Sequence, residues 1–396
     1  MVIVGGSVAG VRTARALREQ GYPGVIRVIE AEAEPPYDKP PLSKAALDGN
    51  ARVPLMTLEE ARELDIELSL GRRATGLLTP SAHLVFGDGT VMGFDDLVVA
   101  TGVRPRPAPW RHEGVHVLRT WADAAGLRAR LATSRHLLVV GAGFLGAELA
   151  ALARRHGIEV TMVDPAAVPM SRAVGSVLGE RFSALHRRHG VDTRFGTLVT
   201  MLEPSGGGFR AELADGSVVL PDTVVVAIGS DLDLDWLEAS GLPVDDGIIC
   251  DEYGRVVGFP NVHAVGDVAR WHRPRSGTSA RVEHWTNAVE QANSVAHNIL
   301  HPGAPIAHDP VGYVWSDQYD WKIQLIGTRD PDRRPEIFEQ DEPFRLAAIW
   351  QGTDGRVTGG ATVNWPKASV WLRTAVKRGS HASSVRDQLG AVAVLA

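Results

Sequence analysis

At 396 residues the chain is long enough for two or three domains, each with its own core. Its 41 Lys and Arg stand against 47 Asp and Glu, a formal net charge of −6, which argues against bulk attraction to nucleic acid or to an anionic membrane. No apolar run reaches the roughly 20 residues of a bilayer-spanning helix, and the first strand begins almost at Met1, so a cytoplasmic protein without a leader is expected.

The first element is the apolar run Val2-Ile3-Val4, followed by Gly5-Gly6-Ser7-Val8-Ala9-Gly10. A short buried strand, a turn too tight for side chains and a helix aimed at a pyrophosphate make a dinucleotide-binding fingerprint. Gly5 makes the turn, and Gly10 lets the helix, with Ala9, pack close to the strand. Ser7 replaces the middle glycine; it is small, and its hydroxyl can donate to a phosphate. Val25 to Ile29 reads as the second strand. Glu30 closes it, about 20 residues past Gly10, where a carboxylate takes ribose hydroxyls, with Ala31 beside it. The unit ends on Asp96-Leu97-Val98-Val99 and the small residues Ala100, Thr101 and Gly102, which lie flat near a ligand.

A proline-rich connector follows, Arg104 to Pro109. The pattern then repeats. Leu137 to Val140 leads into Gly141-Ala142-Gly143-Phe144-Leu145-Gly146, and Glu159 to Val163 ends on Asp164. Here all three glycines are present. A carboxylate at Asp164 accepts both ribose hydroxyls of NADH and repels a 2′-phosphate, and Arg172 is the only base nearby, so NADH is expected over NADPH. The copy closes on Val224-Val225-Val226-Ala227-Ile228-Gly229, an echo of the earlier Val98-Val99-Ala100-Thr101-Gly102. A protein that holds two dinucleotides is built to pass electrons between them. The plainer alternative is a pair of ordinary strand-end glycine turns.

Residues 228–302 carry no fingerprint of their own but contain Gly266-Asp267, so they are expected to return to the first unit. The single cysteine, Cys250, lies in a strand-like stretch and reads as a small buried apolar residue, which excludes paired-thiol redox chemistry. From His308 onward aromatic alternation (Tyr313, Trp315, Tyr319, Trp321) precedes a helical stretch near Ser369 to Arg378. No set of residues has the spacing of a metal site or an activated nucleophile. The expected architecture is α/β, with two Rossmann-like dinucleotide-binding domains and a small C-terminal α+β domain. The boundaries are 1–104 with 228–302, 105–227, and 303–396.

Six motifs remain: Tyr37-Asp38-Lys39-Pro40-Pro41-Leu42-Ser43-Lys44, Leu118-Arg119-Thr120, Gly143-Phe144-Leu145-Gly146-Ala147-Glu148, Val265-Gly266-Asp267-Val268-Ala269, Glu283-His284-Trp285-Thr286-Asn287-Ala288 and Trp315-Ser316-Asp317-Gln318-Tyr319-Asp320. In this order they resemble the FAD-dependent NAD(P)H:ferredoxin reductases of the putidaredoxin, rhodocoxin and biphenyl dioxygenase systems, over nearly the whole chain. The resemblance implies a glutathione-reductase-like fold. It implies that Gly266 and Asp267 hold the ribityl chain of FAD, and that Arg119 and Ala74 hold its adenosine and pyrophosphate portion. Lys44, in one loop with Lys39 and Pro41, is implied at the flavin N5 edge, paired with Glu148 on the nicotinamide side. Glu283, His284 and Trp285 are implied at the pyrimidine end of the ring, where a helix N-terminus favours the negative charge of reduction. From the residues alone, Lys44 and Glu148 are equally two solvated charges, Arg119 a surface arginine, Trp285 a core aromatic and His284 a buried structural histidine.

The activity so implied takes hydride from NADH onto FAD and passes electrons singly to a [2Fe-2S] ferredoxin that feeds a cytochrome P450 or a Rieske oxygenase. Ferredoxins are typically acidic, so a basic docking patch is expected. Arg270-Trp271-His272-Arg273-Pro274-Arg275 and the cluster Lys367, Arg373, Lys377 and Arg378 are candidates, and each is also readable as a solvated face. The alternatives are a rubredoxin or monodehydroascorbate reductase, and a non-catalytic flavoprotein similar to apoptosis-inducing factor.

Overall fold

The computed structural model of the chain describes residues 1–274, 277–390 and 394–395. Two compact units share them: residues 1–39, 52–104 and 231–310 form one, and residues 40–51, 105–230 and 311–396 form the other. The chain passes from the first to the second between Lys39 and Pro40, in the middle of one of the six motifs.

The first unit is built on a nine-stranded sheet in which five consecutive strands, the last of them at one edge, run parallel in the order Phe259–Ala264, Leu97–Val99, Val2–Val4, Ile26–Ile29, Ile66–Ser69. Val2–Val4 and Leu97–Val99 are short, wholly apolar and buried, as strands covered on both faces must be. Strands Ile248–Cys250, Arg255–Val256, Phe259–Ala264, Ala269–Arg273 and Thr278–Arg281 complete this sheet. Helix Val8–Glu19 covers it and packs beside helix Trp285–Leu300, whose stripe Ala288, Gln291, Ala292, Val295 and Ala296 is buried at helical spacing. Cys250 lies in strand Ile248–Cys250 within this core, where burial pushes its thiol far above the ordinary range. It is an apolar filler, as expected.

The second unit repeats the plan. Strands Val191–Phe195, Glu159–Asp164, His136–Val140, Thr223–Val226 and Val115–His116 pair in parallel in that order. Each unit also carries a three-stranded antiparallel ribbon: Ala74–Leu78, His83–Phe86 and Val91–Gly93 in the first, and Val199–Ser205, Gly208–Leu213 and Val218–Val219 in the second.

The C-terminal part of the second unit is a six-stranded antiparallel sheet. Two helices follow, Pro366–Arg378 and Ala382–Gly390, of which the sequence reading expects only the first. Gly379 separates them at φ +61°, a left-handed stop that glycine adopts without strain. Among the described residues no helix is long and apolar enough to cross a membrane.

Among the described histidines, His186 and His263 have almost no exposed surface and are held neutral. Burial lowers His186 and His263 from 6.5 to about 4. Each takes up a proton on unfolding between those two values, so each contributes stability that is complete above 6.5 and is lost as the pH falls toward 4. The loss is at most about 3 kcal/mol for each. Thermal unfolding followed between pH 7 and pH 4 should show this decline, and His186→Gln should flatten part of it.

Candidate functional site

The two fingerprints are built to one plan, each within its own unit. In the first, the Gly5 amide donates to Ile29 O at 2.8 Å and the Ala100 amide donates to Val4 O at 2.7 Å. In the second, Gly141 donates to Val163 O at 2.8 Å and Ala227 donates to Val140 O at 2.7 Å. A Cβ on Gly10 would lie 1.8 Å from Gly5 O, and one on Gly146 would lie 1.9 Å from Gly141 O. Only hydrogen fits between helix and turn at these positions. Gly5 and Gly141 have φ +110° and +104°, with a hypothetical Cβ 2.3 Å from Ala100 O and Ala227 O.

The acidic residues act on the turn itself. Glu30 accepts from the Gly6 amide at 2.6 Å and from the Glu32 amide at 2.8 Å. Asp164 accepts from the Ala142 amide at 2.7 Å and from the Ala166 amide at 2.8 Å. A carboxylate has about four lone-pair sites, so each keeps acceptor capacity for ribose hydroxyls while bracing the loop.

Both turns fit a phosphate ligand. Nothing lies within 4 Å of a Cβ on Gly143, so the backbone there is open to a close approach. Ser7, its counterpart, makes no side-chain cap bond to its helix, and neither fingerprint helix has an acidic residue in its first turn. Thr101 Oγ1 and His284 Nδ1, both in the first unit, are buried without a hydrogen-bond partner, as polar atoms reserved for a ligand would be.

Among the other predicted residues of the first unit, Gly266 lies against the fingerprint helix. Gly266, at φ +75°, starts a turn so close to the helix that a Cβ would meet Ala9 Cβ at 2.9 Å. Its amide donates to Gln291 Oε1 at 2.8 Å, and Arg281 donates to Asp267 O at 3.2 Å. Arg281 also bonds Glu283. Trp285 opens its helix with its indole N–H on Asp38 Oδ1 at 2.9 Å, which joins two of the motifs. Burial raises the Asp38 carboxyl above its ordinary range. Asp38→Leu should strand a half-buried indole N–H, lower stability by about 1–2 kcal/mol and broaden the Trp285 fluorescence; denaturant melts and emission spectra test this. Lys39 is taken by Glu32, 2.7 Å away, and sits over the Tyr37 ring. Ala31 is exposed beyond Glu30, and Ala74 opens the antiparallel ribbon.

In the second unit Lys44 and Glu148 meet. Pro41 and Ser43 belong to a short 3-10 turn, Pro40–Ser43, that delivers Lys44 to helix Phe144–Arg155. Lys44 Nζ lies 2.7 Å from Glu148 Oε2, and Ser43 Oγ donates to the same oxygen at 2.6 Å. Glu148 is only 7% exposed and Lys44 27%. Two independent solvated charges are therefore ruled out, because a carboxylate this buried needs its partners. Ser316 Oγ, from the C-terminal sheet, donates to Glu148 Oε1 at 2.8 Å. Further along the same helix, Asp48 pairs with Arg155 at 2.7 Å and His156 at 2.8 Å, so residues 40–51 are tied down twice. Ser43, Ser316 and Asp38 sit inside quoted motifs, yet sequence reasoning gives them no role.

Arg119 also lies in the second unit. Its amide and that of Thr120 donate to Asp123, while Thr120 caps helix Trp121–Leu131, so this motif has a local structural cause as well. Arg172 is exposed on the first turn of the helix after Met170, and Gly229 O accepts from the Arg106 amide at 3.0 Å beside Ile228.

Residues 1–292 match the family described as pyridine nucleotide-disulphide oxidoreductase, and residues 313–390 match the reductase C-terminal family. The chain belongs to the pyridine nucleotide-disulphide oxidoreductases. Its one buried cysteine sets it apart from the disulphide chemistry in that name. Rhodocoxin reductase of Rhodococcus erythropolis is 36% identical, over 94% of this chain and 88% of that protein. The ferredoxin–NAD(+) reductase component of the p-cumate 2,3-dioxygenase system of Pseudomonas putida is 34% identical, over 98% and 95%. The crystal structure of the covalent putidaredoxin reductase–putidaredoxin complex superposes with a TM-score of 0.89 at 31% identity, covering 98% of each chain. The resemblance drawn from the motifs holds.

Proposed function

We propose that this oxidoreductase binds FAD on the first fingerprint and NADH on the second, and passes electrons singly to a [2Fe-2S] ferredoxin of a cytochrome P450 or Rieske oxygenase system. The observation that carries this reading is the duplicated fingerprint, each copy braced by its own carboxylate. Bound FAD supplies the chemistry, since a flavin accepts a hydride and can release its electrons one at a time.

The chain's own residues do the rest. Residues 1–104 with 228–302 serve as the FAD domain, through Gly5, Ser7, Gly10, Glu30, Thr101 and Asp267. Residues 105–227 serve as the NAD domain, through Gly141, Gly143, Gly146 and Asp164, and residues 303–396 are the C-terminal domain. Asp164 carries a negative charge where NADPH would bring a phosphate, and Pro165, Ala166 and Ala167 add no cation, which favours NADH. Lys44, fixed by Glu148, supplies positive charge for a ring that becomes anionic on reduction.

Helix Pro366–Arg378 is the preferred docking face. It has four cations and no acidic residue; Lys367 lies over the Trp371 ring and Arg373 over the Tyr313 ring. The other candidate is the loop from Arg270, where Arg270 pairs with Asp245; its Arg275 lies outside the described residues. A cytoplasmic location fits a single reduced, buried thiol.

Anaerobic titration of the purified protein tests the reading. One equivalent of NADH should bleach a yellow protein, NADPH should do so only in large excess, and an added [2Fe-2S] ferredoxin should then be reduced. A colourless protein, or a flavin that neither nucleotide touches, would overturn it.

A further inference from the structure

Strand Tyr313–Gln318 alternates its faces, and Ser316 and Gln318 share the buried one, both with no exposed surface. Ser316 Oγ donates to Glu148 Oε1 at 2.8 Å, and Gln318 Nε2 donates to Ser316 Oγ at 3.2 Å and to Met170 Sδ at 3.4 Å. Met170 in turn donates its amide to Ala142 O, in the second fingerprint, at 2.9 Å.

The direction of this chain follows from donor counting. A carboxylate only accepts, so the single Ser316 proton goes to Glu148, and Ser316 is left as an acceptor. Gln318 must then present its NH2 group, not its oxygen, to Ser316. The consequence is visible: Gln318 Oε1 is buried with no partner. An aliphatic side chain of similar size would leave no such orphan, so packing alone does not account for an amide here.

With Ser316 on Oε1, and Ser43 and Lys44 on Oε2, the carboxylate is held at both oxygens and cannot turn about its terminal bond. We infer that Ser316, oriented by Gln318, is a positioning residue of the Lys44–Glu148 pair, through which the C-terminal strand sets the location of the Lys44 ammonium. This rests on the reductase reading for its consequence in turnover, though not for its effect on Lys44.

The test uses the full-length holoenzyme and the variants Ser316→Ala, Ser316→Thr and Gln318→Leu. The first readout is the rate at which acetic anhydride acetylates Lys44 at mildly alkaline pH, followed by mass spectrometry. It should rise about 3-fold or more in Ser316→Ala and Gln318→Leu, because an ammonium released from a fixed carboxylate is more often free to react, and Ser316→Thr should restore protection. The second readout is turnover with NADH: kcat should fall about 10-fold while KM stays within about 2-fold, as expected when an aligned charge near the reacting atoms is loosened and nucleotide binding is not.

Unchanged Lys44 reactivity in both loss variants overturns the inference, whatever happens to thermal stability, because a merely structural serine would lower stability alone. If Ser316→Ala does not fold, Gln318→Leu decides. Raised Lys44 reactivity in variants of a protein that never oxidises NADH would uphold the positioning and sink the reductase reading.

Discussion

Lys44→Met should slow the reduction of bound flavin by NADH about 100-fold, the scale seen when a single preorganised charge is removed from a reacting centre. The argument begins with burial. Glu148 is 7% exposed and gathers Ser43, Lys44 and Ser316 around two oxygens. Removing the ammonium leaves a desolvated carboxylate with neutral donors only, which should also cost about 2–3 kcal/mol of stability. The two effects separate in a cycle. Glu148→Gln removes the charge that holds Lys44 but leaves the ammonium, so it should slow reduction less than Lys44→Met, and the double variant should recover part of the lost stability. Stopped-flow reduction, combined with denaturant melts of the four proteins, measures both. Equal reduction rates in wild type and Lys44→Met would remove Lys44 from the chemistry and leave the pair a structural clasp.

The parts of this site that were legible in the sequence are those whose cause is local. Gly10 and Gly146 announce themselves because any side chain would strike the carbonyl of Gly5 or Gly141 five residues earlier. Glu30 and Asp164 are equally plain, since each ends a strand and braces the turn beside it. The helix at Trp285 shows its buried face at regular spacing. What was hidden is non-local. Ser316 reaches Glu148 across 168 positions, and nothing around a serine in a strand shows what its hydroxyl meets. Residues 40–51 carry a motif that begins in one unit and ends in the other, and their attachment through Asp48 to Arg155 and His156 follows from packing alone. Helix Ala382–Gly390 was missed because its apolar contacts, Ala382, Val385 and Leu389, are few and follow a glycine stop.

On the proposed reading Asp164 combines a local and a functional duty, so its substitution should separate the two. Asp164→Ala removes the charge that opposes a 2′-phosphate, but it also frees the Ala142 and Ala166 amides, which now donate at 2.7 and 2.8 Å. Alone it should therefore damage NADH use, by about 100-fold in kcat/KM, without making a good NADPH enzyme. Adding Pro165→Arg supplies a cation for the phosphate in the adjoining turn, and the double variant should invert the preference. Asp164→Asn is the control for bracing: its side-chain oxygen can still accept one of the two amides, while the charge is gone. It should keep more stability than alanine and lose much of the discrimination. Steady-state kcat/KM for both nucleotides, measured for all three variants with melting temperatures alongside, tests the scheme. If Asp164→Asn retained the full preference for NADH, the carboxylate charge would not be the selector, and discrimination would have to come from the shape of the loop between Asp164 and Met170.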